Sequence, residues 1–265
     1  MKMPISVEFI RGLLKRGVYT FTREKAKTGL GKSGPNLNAA LRYLKRSGWL
    51  LPLNRGFFVI IDPQHQGYGA LPPEWFIDDW ARALKVQYYV GCLSAAMLHG
   101  ASHQKPQVFQ AVADRQMRSI SRGNLEIAFF RKGKIVKEMW QSKKSPAGYF
   151  CVSTPEMTAY DLLYFPRSCG SLDRVATVLV ELGEAMGAEA LAGLANLGCE
   201  IQILQRLGWL LDHAGWAKLT EGLHQSLEGK RRVWSLLQQG LPASGSRNER
   251  WRVVETVDIE PDIAR

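Results

Sequence analysis

A mixed α/β fold in two parts is predicted by three observations in this 265-residue sequence. Over the first 50 positions apolar residues recur at helical spacing, then give way to two short aromatic and β-branched runs around Asn54-Arg55-Gly56. From about residue 88 strand-like and helix-like stretches mix, and after Thr154-Pro155-Glu156 the chain reads as mainly helical. The basic excess sits at one end. Residues 1–63 hold twelve Lys and Arg against Glu8, Glu24 and Asp62, so +9 of the total +11 lies there and +2 is left for the rest. Such a concentrated excess is the footprint of a nucleic-acid-binding module. The prediction is an N-terminal winged helix-turn-helix over residues 1–63, a linker over 64–73, and a larger C-terminal α/β domain over 74–265.

The N-terminal elements follow from spacing and punctuation. In residues 4–16 Val7, Ile10, Leu13 and Leu14 share one side of a helix that stops near Gly17. Thr20 or Thr22 can cap a second helix through Lys27, with Ala26 and Leu30 inward and Gly29 and Gly31 forming the next turn. Ser33 is an N-cap candidate ahead of Gly34 and Pro35, which open a third helix. Its apolar face is Leu37, Ala40, Leu41 and Leu44, and Gly48 stops it. Trp49-Leu50-Leu51 and Phe57-Phe58-Val59 are then two strands of a hairpin with a basic tip.

The opposite face of the third helix carries Asn38, Ala39, Arg42 and Arg46, flanked by Asn36, Tyr43 and Lys45. Asn can pair bidentately with adenine and Arg with guanine, while Lys or Arg neutralises phosphates. Lys32, Ser33, Asn36, Asn38, Arg42, Tyr43, Lys45 and Arg46, with Asn54 and Arg55 at the hairpin tip, are the candidate DNA contacts.

Composition bounds the rest. Hydrophobic content of 46% and charged content of 22% are those of a globular protein, and the length suits two modest cores. No apolar run has the length of a membrane span, and MKMPISVEFI lacks the apolar stretch of a secretory signal. Cys92, Cys151, Cys169 and Cys199 are scattered without a CxxC pair, which points to a reducing cytoplasm rather than to disulfides or zinc.

In the second part, Glu74–Leu84 reads as an amphipathic helix whose Trp75, Phe76 and Trp80 belong to a core, and His65 ahead of it as a solvated loop residue. Leu93–His99 reads as helix, and Val108–Ala113, Leu125–Arg131 and Tyr149–Val152 as strands. Helices are predicted over 155–164, 172–186, 188–195, 200–213 and 216–224, with a further one over 233–240 and a last strand over Arg252–Ile259.

No constellation signals catalysis. His99 and His103 have ligand spacing, but Gly100 interrupts the helix and no Glu or Cys completes a metal set. Asp114, Glu126 and Lys132 have loose nuclease-like spacing, more economically read as charges at strand ends. Asp161, within an apolar helix, is expected to bond a neighbouring backbone group or Arg. A phosphate loop and a nucleophile elbow are both missing from the sequence, and no cofactor is implied.

Several stretches of the second part resemble the AbiEi antitoxin family. They are Tyr88-Tyr89-Val90, Leu93-Ser94-Ala95-Ala96 with His99-Gly100, and Gln104-Lys105-Pro106-Gln107. Ser153-Thr154-Pro155-Glu156-Met157-Thr158-Ala159-Tyr160-Asp161-Leu162-Leu163 and Gln205-Arg206-Leu207-Gly208-Trp209-Leu210-Leu211 complete the set. The resemblance runs over about residues 5–225 and takes in Arg55-Gly56-Phe57-Phe58. It implies a bacterial type IV toxin–antitoxin or abortive-infection system. Its implied partners are inverted-repeat DNA upstream of the protein's own operon, which the winged helix represses, and a nucleotidyltransferase-like toxin, which the C-terminal domain counters. The implied DNA contacts fall on Asn36, Asn38, Arg42, Tyr43, Arg46 and Arg55. The basic turn Arg131, Lys132 and Lys134 is the candidate antitoxin surface. With no heptad or dimer seam in the sequence, a monomer or weak dimer assembling on DNA is expected. Two other readings stay open: a metal-dependent nucleic-acid enzyme, and an effector-responsive repressor with no toxin partner.

Overall fold

The computed structural model describes residues 4–101 and 106–260. His103 and Gln104-Lys105, named above, lie outside the described residues. Helix α1 (Ile5–Leu14) buries Val7, Ile10 and Leu13, while Leu14 is only half-buried. A three-residue strand the sequence did not announce, β1 (Thr20–Thr22), follows. Its last residue caps α2 (Arg23–Leu30), the Thr22 hydroxyl accepting from the Lys25 N–H at 3.4 Å. Helix α2 runs past the expected stop at Lys27. Gly29 lies within it, because a Cβ there would meet the Phe9 ring at 2.2 Å, and Gly31, at φ 60°, ends it alone. Helix α3 (Gly34–Arg46) buries Leu37, Ala40, Leu41 and Leu44 as expected; Ser33 holds the N-cap position, but its side chain makes no capping bond.

Strands β2 (Leu50–Asn54) and β3 (Phe57–Ile60) turn at Arg55-Gly56 and pair antiparallel, and β1 joins the far side of β3 to give the order β1-β3-β2. Pro52, which cannot donate to a ladder, is accommodated because β2 is an edge strand. The central strand β3 is covered on both faces. Ile60 and Phe58 face the core built by Ile10, Leu13, Leu37 and Leu44, whereas Phe57 and Val59 enter a second core with Ala70, Leu71, Phe76 and Trp80. That double burial is why β3 is apolar at every position instead of alternating.

The stretch read as a linker is packed against this second core. Ala70 and Leu71 are buried in it. His65 is half-buried rather than a free loop residue: its Nδ1 lies 2.6 Å from Asp62 Oδ1 and its ring packs edge-on against Trp75. Tyr19 packs edge-on against the same Trp75, and the Thr20 hydroxyl donates to Asp79 at 2.6 Å.

After a single 3-10 turn at Pro73–Trp75, α4 (Ile77–Leu84) starts three residues later than expected. Then come β4 (Tyr88–Val90), α5 (Cys92–Leu98), β5 (Phe109–Ala113), β6 (Ile120–Arg122), β7 (Leu125–Arg131), β8 (Trp140–Ser145) and β9 (Gly148–Ser153). They form a mixed six-stranded sheet in the order β6-β7-β5-β4-β9-β8, with β5–β7 and β4–β9 parallel. Helices α6 (Pro155–Tyr164), α7 (Leu172–Leu182), α8 (Ala188–Gly193), α9 (Ile201–His213) and α10 (Ala217–Glu228) build the main apolar core with α5 and residues of that sheet. The chain closes with β10 (Ser235–Leu236), β11 (Ser246–Asn248) and β12 (Val253–Glu255).

Two sequence expectations fail here. Residues 233–240 are not a helix, because the Ser235 and Leu237 N–H groups bond Arg252 and Val254 carbonyls in a parallel pairing with β12. Only Val253–Glu255 of the expected Arg252–Ile259 strand is paired. No helix of the described residues is long and apolar enough to cross a membrane.

The closing sheet is clamped to α9. Gln205 Nε2 donates to the Trp251 and Val233 carbonyls at 2.7 and 3.1 Å, and the fully buried Trp251 ring rests on Gly208. A Cβ at Gly208 would stand 2.3 Å from that ring. Gly208→Ala is therefore expected to destabilise the chain by about 1–3 kcal/mol, the usual cost of overpacking. Urea unfolding followed by Trp fluorescence checks this, and an unchanged midpoint would contradict the packing.

Candidate nucleic-acid interface and the buried charge centre

The apolar stripe of α3 turns its other side outward. Ser33, Asn36, Arg42, Tyr43, Lys45 and Arg46 are exposed, Tyr43 at 46%, and Lys32 is half-buried. The side chains of Lys32, Asn36, Arg42, Lys45 and Arg46 make no hydrogen bond or ion pair with any described residue. The helix thus presents cations and an amide with no described residue competing for them. Basic Lys45 and Arg46 close the last turn, where they also complement the helix dipole.

Two of the candidates are placed differently. Asn38 is half-buried, and its Oδ1 accepts from Arg23 Nη2 at 2.5 Å. Arg23, at the start of α2, was missed because helical periodicity within α3 says nothing about a side chain arriving from another helix. Its backbone N–H also holds the hairpin tip, donating to the Gly56 carbonyl at 2.8 Å. Asn54 is half-buried with its Oδ1 enclosed and without a hydrogen-bond partner among the described residues, and Arg55 is the exposed charge of the tip.

The basic turn after β7 does not form the continuous surface its sequence suggests. Arg131 and Lys134 are exposed, but Lys132 is buried at 8%. The Lys132 N–H continues the β5–β7 ladder by bonding the Ala113 carbonyl at 2.9 Å. Strand alternation therefore persists one residue beyond β7 and turns the Lys132 side chain inward.

There Lys132 Nζ meets Asp161 Oδ1 of α6 at 2.5 Å, and the Tyr89 hydroxyl of β4 donates to Asp161 Oδ2 at 2.8 Å. The Tyr160 and Tyr164 rings lie 4.8 and 5.4 Å from the ammonium. Asp161 is thus bonded to a Lys and a Tyr rather than to backbone or Arg. Burial pushes its carboxyl above the usual range, and Lys132 and Tyr89 oppose that shift. The arrangement satisfies both carboxylate oxygens and joins β4, β7 and α6.

The other candidates do not converge. Asp114 accepts from its neighbour Arg115 at 3.0 Å. Glu126 pairs with Ser121 near the far end of β7, about 20 Å of strand from Lys132. His99 Nε2 donates to the Ser153 carbonyl at 2.8 Å. Among the described residues, no three His, Cys, Asp or Glu side chains gather as a metal set.

Removing one member of the buried pair strands the other. Asp161→Ala is expected to cost about 3–5 kcal/mol in urea unfolding, and Lys132→Met with Asp161→Leu to recover most of it. A single variant as stable as the wild type would contradict the pairing. His99 gives a pH dependence. Burial holds its pKa below the usual 6.5, against the pull of the Ser153 carbonyl. A depressed histidine contributes stability above the unfolded-state value and loses it as the pH falls through the folded one. The melting temperature is expected to decline below pH ~6.5 more steeply for the wild type than for His99→Gln; parallel curves would remove His99 as the cause.

A family model described as the AbiEi antitoxin C-terminal domain matches residues 89–213. The crystal structure of the RV2827C protein from Mycobacterium tuberculosis superposes with a TM-score of 0.71 at 18% identity, covering 95% of this chain and 92% of that one. At that identity the likeness is one of fold. No protein of curated function matches the chain. Residues 89–213, from β4 through α9, are thus similar to an AbiEi antitoxin C-terminal domain, and the similarity supports a toxin–antitoxin role in general terms.

Proposed function

We propose that the chain is the antitoxin of a type IV toxin–antitoxin system. In this reading residues 1–63 are a winged helix-turn-helix that represses its own operon, and residues 74–265 counter a nucleotidyltransferase-like toxin. The observation that carries the DNA-binding half is the outward face of α3, where Asn36, Arg42, Tyr43, Lys45 and Arg46 stand exposed beside the Arg55 tip. The mechanism is groove recognition. Helix α3 enters the major groove, Arg42 and Arg46 pair with guanine edges, and Lys32 and Lys45 neutralise phosphates. Arg55 follows the adjacent backbone or minor groove. Asn38 keeps Arg23 in place between α2 and α3 and so orients the interface instead of reading a base. Two inverted half-sites require two copies, assembled on the DNA.

For the second half, the family match supports a toxin-directed role, and Arg131 and Lys134 are the exposed cations of the turn that would meet such a partner. Lys132 supports them from below through Asp161.

Fluorescence anisotropy on the upstream DNA tests the repressor half. Affinity is expected to fall steeply with salt, as phosphate contacts require. Arg42→Ala is expected to cost about 1–3 kcal/mol and to relax specificity at one base pair, whereas Lys45→Ala weakens all sequences alike. Unchanged operator affinity in Arg42→Ala would refute the assignment of α3. For the toxin half, co-expression of the wild type with a nucleotidyltransferase-like toxin encoded beside it should restore growth, the absence of such a gene or of rescue would count against this half, and Arg131→Glu with Lys134→Glu should weaken the rescue.

A further inference from the structure

The resemblance includes a Gln205-Arg206-Leu207-Gly208 motif on α9. Gln205 and Gly208 hold the closing sheet, but Arg206 does something a clamp does not require. It is 6% exposed, and its Nε donates to the Leu237 carbonyl at 2.8 Å. Its two terminal nitrogens make no hydrogen bond with any described residue, and no described carboxylate forms an ion pair with it. Burial lowers its pKa. The side chain is buried along its stem while its terminal nitrogens keep contact with solvent, so the charged end is open at its tip.

Arg206 lines a cavity of about 750 Å³, a volume suited to a small molecule, enclosed by the end of α6, the start of α7, α9 and the segment after β12. Ile203 and Ile259 give it apolar wall, and exposed carboxylates of Asp173, Glu200 and Asp258 stand around it. The Nε–carbonyl bond pins the guanidinium plane and leaves two parallel N–H groups for an acceptor with two oxygens, the geometry of a carboxylate. An acidic surround disfavours a plain anion and favours a ligand that also carries a cation.

We propose that this cavity binds a small organic zwitterion of the α-amino-acid class, its carboxylate on Arg206 and its ammonium toward Asp173, Glu200 and Asp258. The site is separate from α3 and adjoins the Lys132 turn, whose own cavity shares Tyr164 and Glu200 with it, and binding at it does not require DNA. It would make the C-terminal domain responsive to a metabolite.

The test uses the full-length protein alone, by thermal shift and calorimetry, so its outcome is independent of whether α3 contacts DNA. The probes are the free L-α-amino acids, their deaminated acids and their decarboxylated amines, each at millimolar concentration. At least one amino acid is expected to raise the melting temperature and bind, with its deaminated acid about tenfold weaker, the equivalent of one charge-assisted hydrogen bond. Its amine should not bind. Arg206→Met is expected to abolish the effect, and Arg206→Lys to weaken it by losing the parallel pair of donors. Asp258→Asn with Glu200→Gln, on exposed positions that leave the fold intact, should narrow the preference for the zwitterion over the acid. The proposal is overturned if no amino acid binds, if an amine binds as well as its amino acid, or if neither Arg206→Lys nor the Asp258→Asn and Glu200→Gln pair changes binding.

Discussion

The constraint on which the arrangement depends is the double burial of β3. Phe57 and Val59 on one face and Phe58 and Ile60 on the other cannot be satisfied by a three-helix module alone. The helices cover one face, and the second face needs Ala70, Leu71, Phe76 and Trp80 from the chain that follows. The hairpin is consequently a shared layer between the helices and the six-stranded sheet. Its tip at Arg55 is exposed, and α3 lies on the helical side with its polar face outward. A helix built this way is presented on a fixed body, so on the proposed DNA-binding reading little ordering entropy remains to be lost.

Charge is handled in two contrasting ways inside the C-terminal part. Lys132, Asp161 and Tyr89 form a satisfied set, each carboxylate oxygen bonded and aromatic rings stacked around the ammonium. These bonds oppose the desolvation of Asp161 only in part, and they tie β4 and the end of β7 to α6. Arg206 is the opposite case, a buried cation whose terminal nitrogens open onto a cavity. The first reads as architecture and the second as recognition, a distinction that rests on partners and not on burial.

What could be read from the sequence follows the strength of each local signal. Helix α3 was legible because four apolar residues, a Gly-Pro start and a glycine stop all agree. Strand β1 was not, since three residues carry no period, and Thr22 served equally well as a helix cap. Strand β8, Trp140–Ser145, is an edge strand with a polar sequence, so no hydrophobic alternation announced it. Residues 233–240 pair with a strand some eighteen positions away, a contact that local propensity does not encode. At the candidate sites, residue types were legible and orientations were not. Lys132 looks like its neighbours Arg131 and Lys134 until the β5–β7 ladder turns it inward, and Asn38 looks like a base reader until Arg23 reaches it from α2.

The central claim, that α3 and the hairpin tip are the DNA-facing surface of an otherwise fixed body, is tested most directly by hydrogen exchange on the full chain with and without its upstream DNA. Slowed exchange is expected only at the start of α2, in α3 and at the turn Arg55-Gly56, with the six-stranded sheet and α6–α10 unchanged. Protection that leaves α3 untouched, or that centres on the C-terminal sheet, would contradict it.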